Sequence, residues 1–165
     1  MIVVSDTSPL NYLILLGAQE VLPSLFGSVV TPTAVLDELR HSSAAAVVRA
    51  WAAAAPLWLR VQDPRALHPS LHLGPGETAA LSLAVELGRT GEEVRVLIDE
   101  QAGRAAARRL GLSPAGTLAV LLDAASAGLI DLPTAIDRLR QTNFYASPAL
   151  LDDVLRVDRL RREKQ

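Results

Sequence analysis

The sequence predicts a parallel α/β fold in which strands and helices alternate along the chain. Two observations support this prediction: short β-rich apolar runs are each followed by a helical segment, and proline or glycine marks the boundaries between them. The first apolar run, MIVVS, stops at Asp6, and the clearest interior strand, Val94 to Ile98, stops at Asp99. Both of these predicted strands therefore end in an acid.

The bulk composition indicates one folded domain over residues 1–165. Half of the residues are hydrophobic and 21% are charged, which excludes a disordered chain. The absence of cysteine excludes disulfides and thiolate metal sites, and it fits a reducing compartment. No apolar run approaches the ~20 residues of a membrane span, and no basic segment marks a secretory signal. We therefore expect a cytoplasmic protein without membrane segments.

A hydroxyl residue before a proline is typical of a helix start, with the hydroxyl residue as the N-cap and proline at the first helical position. This pair occurs three times, at Ser8–Pro9, Thr31–Pro32 and Ser147–Pro148. We predict a helix after each pair, and the first of them should end near Gly17.

The remaining elements are read from periodicity and from breaking residues. A short strand SVV precedes the second helix, an Ala-rich helix follows it, and LWLRVQ is a predicted edge strand before the irregular stretch DPRALHPSLHLGPG. The later predicted helices are Pro75 to Leu87, Ala102 to Leu110, Thr117 to Ala127, Pro133 to Gln141 and Pro148 to Glu163. The last helix, about 148–163, has apolar positions and a basic end, so a partner or homodimer contact is one interpretation of it.

Asp6 and Asp99 are the first candidate site residues. The carboxyl ends of parallel strands meet at one edge of a sheet, where ligands bind in open α/β folds. Asp6 could instead cap the helix that follows, but Ser8 is predicted to take that role. If the two strands are neighbours, like charges will raise the pKa of each acid unless a cation joins them.

Glu38 and Glu77 are the next candidates, because both are predicted to lie on or beside the apolar face of a helix. Glu38 flanks the stripe that contains Val35 and Leu39, whereas Asp37 points nearly opposite. Glu77 stands at the head of the apolar face of its helix, where a carboxylate is costly unless it is paired or metal-bound. A surface position for Glu38 and a favourable helix dipole for Glu77 are the alternatives.

Two to four carboxylates without cysteine or a paired histidine form the ligand set of Mg²⁺ or Mn²⁺. Such a set suits hydrolysis of phosphodiesters by an activated water. His68 and His72 are four residues apart but lie in a stretch rich in proline and glycine, which disfavours a helical ligand pair. No GxGxxG motif follows a strand, which disfavours dinucleotide binding, and P-loop and nucleophile-elbow motifs are absent from the sequence.

Four motifs in order, SDTSPL, TPTAVLDEL, LGPGETAALSLA and VLIDEQAGRAAARRLGL, resemble the PIN domain superfamily. The nearest match is a PIN-like subgroup related to VapC-type toxins of toxin–antitoxin pairs, and the resemblance covers Met1 to about Leu151. It implies a Rossmann-like, three-layer α/β/α sandwich with a central parallel sheet. It also implies a Mg²⁺- or Mn²⁺-dependent endoribonuclease that acts on RNA and has a small antitoxin protein as its partner.

The resemblance also implies roles for individual residues. The matching catalytic and metal-binding acids are Asp6, Glu38, Glu77 and Asp99. The matching residues expected near substrate are Thr7, Ser8, Arg104 and Thr117. The chain departs from the family pattern in two places, because its fourth motif reads LID rather than T-x-D and its third acid is glutamate.

Other interpretations stay open on the sequence alone. The chain could be a PIN-fold binding or regulatory protein without catalysis, or a phosphatase or DNA-directed nuclease that uses the same acids. Arg104 and Arg108, one helical turn apart, could follow RNA phosphates or form an ordinary solvated face.

Overall fold

The computed structural model describes residues 1–164 and centres on a sheet of parallel strands. The strands are β1 (Ile2–Ser5), β2 (Val29–Thr31), β3 (Leu59–Val61), β4 (Val94–Leu97) and β5 (Ser113–Ala115). Their order across the sheet is β3-β2-β1-β4-β5, so β1 and β4 are neighbours near its centre. The predicted parallel α/β fold is confirmed, as is the edge position of the strand in LWLRVQ.

Helices connect the strands and pack on the sheet. Within residues 1–164 they are α1 (Thr7–Leu15), α2 (Val21–Phe26), α3 (Thr33–Arg40), α4 (Ala46–Ala53), α5 (Pro75–Gly88), α6 (Gln101–Arg109), α7 (Thr117–Ser126), α8 (Leu132–Arg140) and α9 (Pro148–Glu163). In the described part of the chain, no helix is long and apolar enough to cross a membrane.

The two faces of the sheet are covered by separate apolar clusters, because successive side chains of a strand point to opposite faces. Val3 of β1 and Leu97 of β4 belong to the cluster that contains the buried residues of α1, α3, α7 and α8. Val4 and Val96 belong to the other cluster, with the buried residues of α5 and α6. Helices on both sides of a parallel sheet confirm the three-layer sandwich.

Only one of the three predicted hydroxyl N-caps is correct. Ser147 caps α9, since its hydroxyl accepts a hydrogen bond from the backbone N–H of Leu150 at 3.1 Å. Ser8 is not a cap, because α1 already begins at Thr7. Thr31 is not a cap either: it is the last residue of β2, and its hydroxyl donates to the Ser5 carbonyl at 2.9 Å.

Two short elements, α2 and β5, are missing from the sequence prediction. Strand β5 contains Pro114, which lacks an N–H and is tolerated because β5 is an edge strand. It extends the sheet beside β4, where the Ile98 N–H donates to the Ala115 carbonyl at 2.8 Å. This edge strand places the start of α7 next to Asp99.

Candidate active site

The first two acids leave neighbouring strands at the same edge of the sheet. Ser5 and Leu97 are register partners in the parallel pair β1–β4, and the Asp6 N–H donates to the Leu97 carbonyl at 2.9 Å. Asp6 follows β1 directly, whereas Asp99 follows β4 after one intervening residue. The expected neighbouring arrangement of the two strands is thus confirmed.

Asp6 occupies the N-cap position of α1, yet its side chain makes no capping hydrogen bond. The residue is only 3% exposed, and its Oδ1 has no hydrogen-bond partner among residues 1–164. Asp6, and not Ser8 as predicted, therefore occupies the N-cap position, but its carboxylate is free of a capping role nonetheless. An acid buried in this way is costly unless a proton or a cation joins it.

Burial raises the pKa of Asp6 from 3.8 to about 7. The backbone N–H of Thr7 opposes this rise, and the negative charges of Glu77, Glu38 and Asp99 add to it. These charges act on Asp6 because the fold brings all four acids to the carboxyl edge of the sheet. We call Asp6, Glu38, Glu77 and Asp99 the four-acid site.

Glu38 is held from two sides. The Thr7 hydroxyl donates to its Oε2, and the Gly76 backbone N–H donates to its Oε1 at 3.0 Å. A Cβ atom at Gly76 would lie 2.6 Å from Glu38 Oε2, so only glycine lets α5 approach this closely. As predicted, Glu38 is half-buried at the edge of an apolar stripe and Asp37 is exposed.

Glu77 lies in the first turn of α5 and points into the same region. Its Oε2 is buried without a hydrogen-bond partner in the described residues, and a Cβ atom at Gly103 would lie 2.6 Å from that oxygen. Burial raises the pKa of Glu77, and the charges of Glu100 and Glu38 raise it further. Glu77 is thus a second acid, beside Asp6, with an oxygen available for a ligand.

Thr117 fixes Asp99 at the start of α7. Its backbone N–H donates to Asp99 Oδ1 and its hydroxyl donates to Oδ2, both at 2.7 Å. Burial still raises the pKa of Asp99, against these hydrogen bonds and the positive charge of Arg104, with Glu100 adding to the rise. Arg104 also donates to the Asp99 backbone carbonyl.

The four residues predicted to lie near substrate differ in their positions relative to the four acids. Thr7 and Thr117 orient two of the acids directly, and half-buried Ser8 lies next to Thr7 in the first turn of α1. Arg104 is half-buried beside Asp99, so the solvated-face interpretation is wrong for it, while Arg108 is exposed.

Sequence reasoning identified the GPG before Glu77 as a place of close backbone approach, but it missed Gly103 and two nearby side chains. Burial raises the pKa of Tyr12, and the negative charges of Asp99 and Glu100 raise it further, so Tyr12 lies close to the site. His41 shares a cleft of about 380 Å³ with Glu38. Neither residue belongs to a motif with an acid, so only the tertiary fold reveals them.

A family model described as a PIN domain matches residues 2–159. The chain belongs to the PIN domain family. Searches among curated proteins and among solved structures found no match. PIN domains are generally nucleases, and they typically use divalent metals.

The donor chemistry of this PIN domain fits a divalent cation. The four-acid site offers carboxylate oxygens, which are the ligands that Mg²⁺ and Mn²⁺ prefer, and two of these oxygens are buried without a partner. In the arrangement described for residues 1–164, no three acidic, histidine or cysteine side chains are already grouped closely enough to hold an ion. Glu38 and Asp99 instead accept hydrogen bonds from the protein.

Proposed function

We propose that the protein is a Mg²⁺- or Mn²⁺-dependent ribonuclease that hydrolyses RNA phosphodiesters at the four-acid site. The observation that carries this proposal is the pair of buried oxygens, Asp6 Oδ1 and Glu77 Oε2, which find no hydrogen-bond partner among residues 1–164. Their burial disfavours the ionised carboxylates, and a bound cation would remove that penalty. An arrangement that costs stability in the free protein is typical of a functional site.

The acids have different roles in this proposal. Asp6 and Glu77 would bind the cation through their unpartnered oxygens. Asp99, oriented by Thr117, would bind beside Asp6, and Glu38 would complete the site from α3. The chemistry that Mg²⁺ or Mn²⁺ supplies in such a site is activation of a water and neutralisation of charge on the phosphodiester. The fold's part is to hold the acids together and to orient them.

The direct test compares RNA cleavage by the wild type with that of Asp6→Asn, purified identically and supplied with Mn²⁺. We expect the substitution to lower the cleavage rate at least about 100-fold, because even residues that only orient metal ligands contribute 10- to 100-fold. Asp37→Asn is the matched control: it removes an exposed carboxylate from the helix that carries Glu38. Equal cleavage by the wild type and Asp6→Asn would refute the assignment of Asp6.

We further propose that this ribonuclease is the toxin of a toxin–antitoxin pair, with a small antitoxin protein as its partner. The support is the resemblance of the four motifs to the VapC-related subgroup. The test is induced expression in a bacterial host with and without the small protein encoded beside the gene. Growth arrest that the small protein relieves, and that Asp6→Asn abolishes, is the expected result. Unimpaired growth after confirmed expression of the active enzyme would refute this role.

The second candidate is a PIN-fold binding or regulatory protein without catalysis. Two observations favour it: in the described region no three Asp, Glu, His or Cys side chains are grouped closely enough to hold an ion, and the third acid is glutamate. Calorimetric titration with Mn²⁺ distinguishes the candidates. A nuclease should show a saturable site that weakens in both Asp6→Asn and Asp99→Asn, whereas an inactive scaffold should show none.

A further inference from the structure

A groove of about 510 Å³ begins at Asp99 and extends away from the four-acid site. It lies between α6, the start of α7, the loop before α9 and the first turns of α9. Residues along it include Arg104, Arg108, Gly116, Leu122, Tyr145 and Leu150. The volume falls within the range of small-ligand sites, so the groove can accept a group of the size of a nucleotide.

The positive charge of the groove comes from two arginines on α6. Arg104 is fixed at the end nearest the site by its hydrogen bond to the Asp99 carbonyl. Arg108, one turn further along, is exposed and forms no ion pair with any residue from 1 to 164. Arg95 also reaches the groove, but it is paired with Asp123 at 3.2 Å. Arg104 and Arg108 are therefore the groups available to an anionic ligand.

Tyr145 presents an accessible aromatic ring at the groove. Tyr145 is 93% exposed, although its neighbours in the loop are held in place. Phe144 packs edge-on against Tyr12 at a centroid distance of 4.9 Å, and the Tyr12 hydroxyl donates to Asn143 Oδ1 at 3.0 Å. The loop is thus anchored on α1 while the Tyr145 ring remains accessible. Exposed aromatic rings next to arginines are the elements that bind unpaired bases.

We propose that this groove binds the single-stranded RNA segment next to the scissile phosphate, an inference that rests on the proposed ribonuclease function. A base stacks on Tyr145 above the apolar floor that Leu122 and Leu150 provide, and Arg104 and Arg108 bind the adjoining phosphates. Duplex RNA buries its base faces in the stack and presents mainly phosphates and 2′-hydroxyls. The groove therefore selects an unpaired strand.

The test is fluorescence anisotropy with a labelled, unstructured RNA of about twelve nucleotides, a length within the usual range for single-strand sites. The titrations contain EDTA, so binding is measured without cleavage. We expect Tyr145→Ala and Arg108→Ala each to weaken binding by about 10-fold, and Tyr145→Phe to retain wild-type affinity because it keeps the ring. Arg108→Ala should also make the slope of log K against log salt concentration shallower, by the amount expected for the loss of about one phosphate contact.

Arg159→Ala is the matched control, since it removes another exposed arginine, from a position on α9 that does not line the groove. The proposal is overturned if the wild type does not bind the RNA, if the two alanine variants bind as the wild type does, or if duplex RNA of the same length binds as tightly. It is also overturned if the variants keep RNA binding but no longer bind a co-expressed small protein, because that result would assign the groove to a protein partner. Cleavage by the wild type but not by Asp6→Asn, measured separately with Mn²⁺, would leave the ribonuclease proposal intact in each of these cases.

Discussion

Asp6→Asn should stabilise the metal-free protein at neutral and alkaline pH, even though it removes a proposed metal ligand. The pKa of Asp6 is raised from 3.8 to about 7 in the folded state, chiefly by burial. The folded protein therefore binds the Asp6 proton more tightly than the unfolded chain does. The protonated Asp6 side chain makes its full contribution to the stability of the fold below about pH 4. This contribution is lost as the pH rises towards 7 and is absent above about pH 7.

The pKa change sets an upper limit on the size of this effect. A rise from 3.8 to about 7, at about 1.4 kcal/mol per unit, corresponds to at most about 4 kcal/mol. Asparagine keeps a buried polar group without a partner, which costs about 1–3 kcal/mol, and the acids of the site share their protons. We therefore expect Asp6→Asn to raise the free energy of unfolding by about 1–3 kcal/mol at pH 8.

The assay is urea unfolding in EDTA at a series of pH values from about 5 to about 8. The wild type should lose stability across this range more steeply than Asp6→Asn, whereas the exposed control Asp152→Asn should follow the wild type. The raised pKa values of Glu77 and Asp99 leave some pH dependence in every variant. Parallel curves for the wild type and Asp6→Asn would refute the reasoning.

Three further substitutions test the supports of the fold and the site. Thr117→Val removes the hydroxyl that donates to Asp99 at 2.7 Å, and it should weaken Mn²⁺ binding about 10-fold or more in calorimetry. An unchanged Mn²⁺ affinity would contradict the orienting role of Thr117. Gly76→Ala places a Cβ 2.6 Å from a carboxylate oxygen of Glu38 and should lower the free energy of unfolding in urea by about 1–3 kcal/mol. Gly88→Ala is the control, because the nearest atom to its Cβ is 3.8 Å away, and it should be neutral or stabilising. Asp158→Asn removes the charge of a buried carboxylate that pairs with two arginines at 2.6 and 2.8 Å, and it should lower the free energy of unfolding by about 2 kcal/mol in the same assay. An unchanged free energy of unfolding would show that these ion pairs do not stabilise the fold.

The main architecture could be predicted because its signals are local. The β-rich runs that end at Asp6 and Asp99 are short and distinct, and parallel pairing then places both acids at one edge. The boundaries were harder, because a hydroxyl residue before proline is compatible with more than one structure. Thr31 ends a strand and hydrogen-bonds across the sheet, whereas Ser147 is a true N-cap.

The supports of the site could not be predicted because they depend on contacts between distant segments. The glycine at position 76 allows a close backbone approach, but only the fold shows that Glu38, from a helix far earlier in the sequence, accepts from its N–H. Gly103 carries no signal of a supporting role in the sequence, and only the packing of Ile98 and Glu77 against it explains the missing side chain. Strand β5 was hidden by Pro114, which is acceptable only because the strand lies at an edge.

The two hydrogen bonds that Glu38 accepts connect the strand-end acids to the first turn of α5. The sheet fixes the spacing of Asp6 and Asp99, since they leave paired strands. Glu38 accepts from Gly76, which directly precedes Glu77, and from Thr7, which directly follows Asp6. A displacement of α5 around an ion is therefore coupled through Glu38 to the start of α1, so the acids adjust together rather than as four independent ligands.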